Sequence, residues 1–95
     1  MSNTSILELN IGQKPLEEYL LEAITAYQSG IETIVIKGRG FNICKAVDLY
    51  NDLLERLGED AFRVEDVKIG TERVRDKGRT VPRSFIIIKL RPTSL

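Results

Sequence analysis

At 95 residues, with 42% apolar and 29% charged side chains, the chain has the size and make-up of one compact domain (1–95) rather than a disordered tail. It holds no histidine, no tryptophan and one cysteine, which excludes histidine-based triads, histidine-ligated metals, cysteine-rich zinc sites and an internal disulfide. Fourteen Lys and Arg balance fourteen Asp and Glu, which argues against an indiscriminate polycation, and no run approaches the ~20 apolar residues of a membrane span.

Residues 6–11 (ILELNI) alternate apolar and polar, the pattern of a short half-buried strand. Gly12-Gln13-Lys14 turns the chain, and Pro15 suits the first position of a helix, where its missing N–H costs nothing. From Leu16, apolar residues at 16, 19, 20, 23, 24 and 27 form an i, i+3, i+4, i+7 stripe. Glu17, Glu18 and Glu22 lie where the helix dipole favours anions, and Ser29-Gly30 ends the helix. Thr33–Lys37 (TIVIK) is a β-branched run without alternation, as in a strand placed mid-sheet or covered on both faces.

The turn Gly38-Arg39-Gly40-Phe41-Asn42 follows, with Asn42 as the N-cap of a second helix. Its apolar set is Ile43, Ala46, Val47, Tyr50, Leu53, Leu54 and Leu57, its terminator Gly58, and Lys45, Asp48, Asp52 and Glu55 fall on the wet face. Phe62, Val64, Val67 and Ile69 mark a third strand. Residues 70–84 (GTERVRDKGRTVPRS) read as a basic loop around the turn Asp76-Lys77-Gly78. Phe85–Leu90 (FIIIKL), the most apolar run, is expected to be a central fourth strand. The order β-α-β-α-β-β implies an α+β two-layer sandwich: a four-stranded mixed sheet, two helices on one face and a long basic β-hairpin.

The zero net charge conceals a sorting of signs. Residues 1–36 carry −4, 37–47 carry +3, 48–66 carry −5 and 67–95 carry +6. A folded chain of this kind can present one cationic face, because surface field follows local clustering. Two clusters stand out. Gly38 and Gly40 lie between a strand and a helix, where free backbone N–H groups attract anions, and Lys37, Arg39 and Lys45 bracket them. A third glycine in dinucleotide-binding spacing is missing, and the length forbids two nucleotide-binding halves. The alternative is a tight turn with solvated neighbours.

The second cluster is Arg73, Arg75, Lys77, Arg79 and Arg83. Alternate spacing at 73, 75, 77 and 79 would send these side chains to the same side of an extended arm. A two-stranded basic ribbon fits a nucleic-acid groove, and arginine's fork fits phosphate. The alternative is an edge hairpin kept soluble by charge. Lys14 adds a basic group beside a helix N-terminus. Cys44 reads as a packing residue, Asp48, Asp52 and Glu55 as a solvated helix face rather than a metal site, and Tyr19, Tyr27 and Tyr50 as core.

The run Ile36-Lys37-Gly38-Arg39-Gly40-Phe41-Asn42-Ile43-Cys44-Lys45-Ala46-Val47-Asp48 resembles the signature of the Alba family of small archaeal chromatin proteins. Ile11-Gly12-Gln13-Lys14-Pro15 and Val67-Lys68-Ile69-Gly70-Thr71-Glu72 resemble two further family stretches, in the right order and at similar spacing. The resemblance implies the fold shared with the C-terminal domain of the third bacterial translation initiation factor, with strand 4 between strands 2 and 3. It also implies a non-enzymatic, cofactor-free homodimer, or a heterodimer with a paralogue, binding double-stranded DNA and RNA largely without sequence preference. Carried over by position, Gln13 and Lys14 would sit at the centre of the dimer's binding surface. Lys37, Arg39, Gly40, Asn42 and Lys45 would line the surface beside them, and Arg73 to Arg83 would form the arm.

Three departures stand out: Gln13 replaces a lysine that the family acetylates, and Phe41 and Cys44 replace common polar or basic residues. Together with zero net charge they resemble a divergent second paralogue, with binding weakened or shifted toward RNA. The alternatives are a ribonuclease P-like RNA-protein subunit and a small anion-binding enzyme at Gly38–Asn42, the latter lacking a nucleophile–base pair. The polar start Met1–Ser5 lacks the basic and apolar regions of a signal peptide, so the expected location is the cytoplasm, on the chromosome.

Overall fold

The computed structural model describes residues 5–93; the polar start, apart from Ser5, lies outside them. In chain order the elements are β1 (Ile6–Asn10), α1 (Leu16–Gln28), β2 (Thr33–Arg39), a 3-10 turn (Gly40–Asn42), α2 (Ile43–Leu57), β3 (Phe62–Asp76) and β4 (Arg79–Pro92). The sheet order is β1-β2-β4-β3, with β1 parallel to β2 and β4 antiparallel to both of its neighbours. The α+β expectation therefore holds, and FIIIKL is internal as its apolarity required. Among the described residues no helix is long and apolar enough to cross a membrane.

Helix α1 forms where the apolar stripe and the acidic first turn placed it, with Pro15 one residue ahead of the first helical position. It ends in a Schellman pattern: Gly30 N–H donates to the Tyr27 carbonyl (3.1 Å) and Ile31 N–H to that of Ala26 (3.0 Å). Helix α2 begins differently from expectation. Asn42 makes no side-chain capping bond, because the chain enters α2 through the 3-10 turn rather than from extended backbone.

The core-facing arc of α2 also differs. Leu49, absent from the expected apolar set, is fully buried with Ala46 and Leu53. At ~100° per residue the flank carrying Ile43, Val47 and Leu54 lies about a quarter turn away, and it is only half-buried. The core joins Leu20 and Ala23 of α1 and these α2 residues to Leu9, Ile34, Ile36, Ile88 and Leu90 on one face of the sheet. Truncating any of its buried leucines to alanine costs about 2–5 kcal/mol.

Beyond Phe62, which packs on Tyr27 of α1, no helix among the described residues covers strand β3. Register pairs Val64 with Leu90, Val67 with Ile88 and Ile69 with Ile86, so all three point to the helix side. Yet they are 41%, 52% and 74% exposed. A bulge at Glu65 turns its carboxylate toward Lys89 (3.5 Å) and Arg91 (3.3 Å).

The expected long basic hairpin forms, and residues 70–84, read as its loop, prolong both of its strands. The β3–β4 ladder continues unbroken to Asp76 opposite Arg79. Lys77 (φ 53°) and Gly78 (φ 77°) form the two-residue turn with both φ values positive, the primed type that matches strand twist. Beyond the row Arg39–Phe85–Gly70 no third strand among the described residues accompanies the hairpin, so Thr71–Ser84 is a two-stranded arm. Six rows at ~3.4 Å extend it about 20 Å. The radius of gyration, 14.4 Å, accordingly exceeds the ~12 Å of a compact chain this long.

Candidate nucleic-acid interface

Topology gathers the three basic segments. Strands β1 and β2 run parallel, and β3 runs parallel to β2 across the antiparallel β4. The loop after β1, the turn after β2 and the β3–β4 arm therefore leave the sheet at the same end.

The loop Gly12–Lys14 is held by groups from both helices. Gly12 N–H donates to the hydroxyl of buried Tyr19 at 2.7 Å. Lys45 Nζ donates to the carbonyls of Gly12 (2.8 Å) and Lys14. The ammonium groups of Lys14 and Lys45 lie 4.9 and 5.5 Å from the Tyr19 ring centre, where the ring's negative face attracts them. Lys45 is thus a clamp on the loop, and its ammonium is spent on carbonyls. Gln13 and Lys14 remain exposed beside it.

The turn after β2 is pressed against α2. A Cβ at Gly38 would stand 2.6 Å from the Asn42 carbonyl oxygen and 2.9 Å from Ala46 Cβ, so only glycine permits this approach. The arm's base lies over the same turn, since a Cβ at Gly40 would meet Arg83 Cγ and Cδ at 3.8 Å. Between them runs an open groove of about 740 Å³ lined by Arg39, Phe41, Asn42, Cys44, Pro82 and Arg83, among others. Cys44 is exposed on this groove, not packed as expected, because it faces away from the α2 core arc.

Two body cations are neutralised in place. Lys37 is ion-paired with Glu8 across β1 and β2. Arg39 Nε lies 2.6 Å from Glu72 Oε2. Glu72, opposite Arg83 in the ladder, is a residue that sequence reasoning passed over. Its signal was present: it is one of only two acids in the cationic segment 67–95. Among the described residues Lys14, Arg73, Arg75, Lys77, Arg79 and Arg83 are in none of the ion pairs.

The arm corrects one further expectation. Arg73, Arg75, Lys77 and Arg79 do not share a side, because the chain reverses at Lys77-Gly78. Register sets Arg73 opposite Pro82 and Arg75 opposite Thr80 on one face. The other face carries Glu72 opposite Arg83, Val74 opposite Val81 and Asp76 opposite Arg79. One face of the ribbon is therefore cationic and acid-free, and the other is of mixed sign.

Comparison with known proteins places the sequence, for the Alba family model fits residues 7–71. The chain belongs to the Alba family. Its match ends at Thr71, where the arm leaves the Alba body. The chain is 40% identical over 78 residues to DNA/RNA-binding protein Alba 2 of Saccharolobus solfataricus, covering 82% of each. It is 33% identical over 84 residues to DNA/RNA-binding protein Alba of Nanoarchaeum equitans, covering 88% of this chain and 93% of that one. The solved structure of Alba from Thermoplasma volcanium superposes with a TM-score of 0.82 at 28% identity, covering 88% of this chain and 98% of that one.

Proposed function

We propose that this chain is a non-enzymatic nucleic-acid-binding protein of the chromosome, holding duplex DNA and RNA by their phosphate backbones with little sequence preference. The observation that carries the reading is the convergence, at one end of the sheet, of the Lys14 loop, the Arg39–Asn42 turn and the cationic arm. The names of the Alba relatives, which describe them as DNA- and RNA-binding, support it.

The working unit is a homodimer. Supporting this, Val64, Val67 and Ile69 form an apolar strip on β3 that no helix covers, next to the half-buried flank of α2. A twofold copy would cover the strip and set two arms on either side of a shared centre made by the Gln13–Lys14 loops. The arms lie along or into a groove with Arg73 and Arg75 toward phosphates. Lys14 takes the phosphates between the arms, with Arg83, whose side chain leaves the arm's base to lie over Gly40 of the body. Asn42, free of capping duty, offers its amide there, and Gly40 lets Arg83 lie close. Lys45 serves by fixing the loop. Lys37 and Arg39 contribute field reduced by their acidic partners.

Backbone contacts position a protein without reading sequence, and their affinity comes from counterion release. If a dimer neutralises ~6 phosphates, affinity falls about 10³-fold between 50 and 200 mM salt. The test is an anisotropy titration of duplex DNA and structured RNA at both salt concentrations, for wild type and Arg73→Ala/Arg75→Ala. The double substitution should weaken all duplex sequences alike and flatten the salt slope. A flat response in the wild type overturns the reading.

A further inference from the structure

Phe41 has a solvent exposure of 104%, that of a side chain touching nothing. The other phenylalanines pack: Phe62 is buried against Tyr27 (ring centres 5.1 Å apart), and Phe85 lies over Gly70, where a Cβ would sit 2.8 Å from its ring. A lone exposed apolar residue needs no explanation by itself. Phe41 differs in its mounting and its neighbours. It sits in the 3-10 turn wedged between β2 and α2, where the tight Gly38–Asn42 contact leaves the backbone no room to retract. It lines the same groove as Arg83, a guanidinium in none of the ion pairs among the described residues and suited to the phosphates of a bound strand, and as Arg39, which Glu72 holds.

We propose that Phe41 is a stacking platform for a nucleobase turned out of its helix, so that the protein prefers nucleic acids carrying unpaired bases. This rests on the nucleic-acid reading above and names the ligand feature it selects. A rigid aromatic face flanked by cations is the chemistry that holds an unstacked base, since every base has a π-face while its flanking phosphates need positive charge. The position decides against wedging into intact duplex. Phe41 lies on the body at the arm's base, about 20 Å from the arm's tip, so with the arms laid along or into a groove it would face the backbone. From there a base is reachable only when it has left the stack.

The experiment uses a duplex with one bulged 2-aminopurine and a matched, fully paired duplex carrying the same probe. Wild type and Phe41→Trp should bind the bulged duplex about 5–150-fold more tightly and quench its fluorescence. Phe41→Ala and Phe41→Leu should bind both duplexes equally, with the salt slope unchanged; because the side chain is fully exposed, neither should alter the fold. Equal binding of both duplexes by wild type overturns the proposal. So does a Phe41→Ala that weakens both alike, or that changes the oligomeric state instead of the preference. Absence of salt-dependent binding to either duplex would instead bring down the nucleic-acid reading itself.

Discussion

Glu72→Gln should strengthen nucleic-acid binding. Glu72 accepts from Arg39 Nε at 2.6 Å, with the two side chains 32% and 47% exposed. A pair this open contributes only ~0.2–1 kcal/mol to folding, so the variant should melt within a few degrees of wild type. Its effect on binding is larger, because it unmasks one guanidinium per chain, that of Arg39 on the body at the base of the cationic arm. In a dimer, two further phosphate contacts steepen the slope of log K against log salt by about 1.8. The advantage of the variant over wild type should therefore grow about tenfold between 200 and 50 mM salt. Anisotropy titrations across that range measure it, and Arg39→Ala/Glu72→Gln should lose the gain. A Glu72→Gln slope equal to that of wild type would place Arg39 off the binding surface and refute the reasoning.

Three other substitutions separate scaffold from contact. Lys45→Met strips the donors from the Gly12 and Lys14 carbonyls and should cost about 1–3 kcal/mol in urea unfolding, with affinity reduced but the salt slope kept; a slope flatter by about two would mean that Lys45 meets phosphate after all. Gly38→Ala should cost about 1–3 kcal/mol in the same assay, since the new methyl meets backbone at 2.6 Å, and an unchanged midpoint would show that α2 can withdraw. Val67→Glu, at a half-exposed site, should leave the circular dichroism spectrum intact and shift sedimentation equilibrium from dimer to monomer; a persistent dimer would exclude the β3 strip as the interface.

Burial decided what could be read from the residues. Strands β1, β2 and the apolar half of β4, and both helices, each press an apolar face on the core, so alternation in β1, helical stripes in α1 and α2 and continuous apolar runs in β2 and β4 announced them. The arm presses on nothing. Its alternation of Arg73, Val74, Arg75 and Asp76 carries no hydrophobic period, and the segment looked like a loop although its ladder is continuous. The turn at Asp76-Lys77-Gly78 was legible but the register across it was not: with Lys77-Gly78 as a two-residue turn, Asp76 pairs with Arg79, which puts Arg79 on the face opposite Arg73 and Arg75. The basic clusters themselves were visible, and the fold brings them to one end of the sheet. Their acidic and carbonyl partners were not, because Arg39–Glu72, Lys37–Glu8 and Lys45–Gly12 join residues far apart in the chain.

Those partners explain how a chain of zero net charge can serve the proposed function. The lysines and arginine beside the turn are tied to carboxylates or carbonyls that set the loop and turn geometry, so the body supplies shape. Among the described residues the cations outside the ion pairs are Lys14, the loop-bound Lys45, Arg63 and Lys68 on β3, and the five arm residues, so the end of the body beside the turn is weakly charged and the arms strongly. Orientation follows from the ribbon's two faces. Laid with Glu72 and Asp76 toward a phosphate chain, the arm would bring carboxylates against like charge. Turned over, it offers Arg73 and Arg75 among Thr71, Thr80, Pro82 and Ser84, with no acid on that face. Only the second arrangement releases counterions without repulsion. The acids of the arm thereby select which side of the ribbon meets nucleic acid, a role that net charge alone conceals.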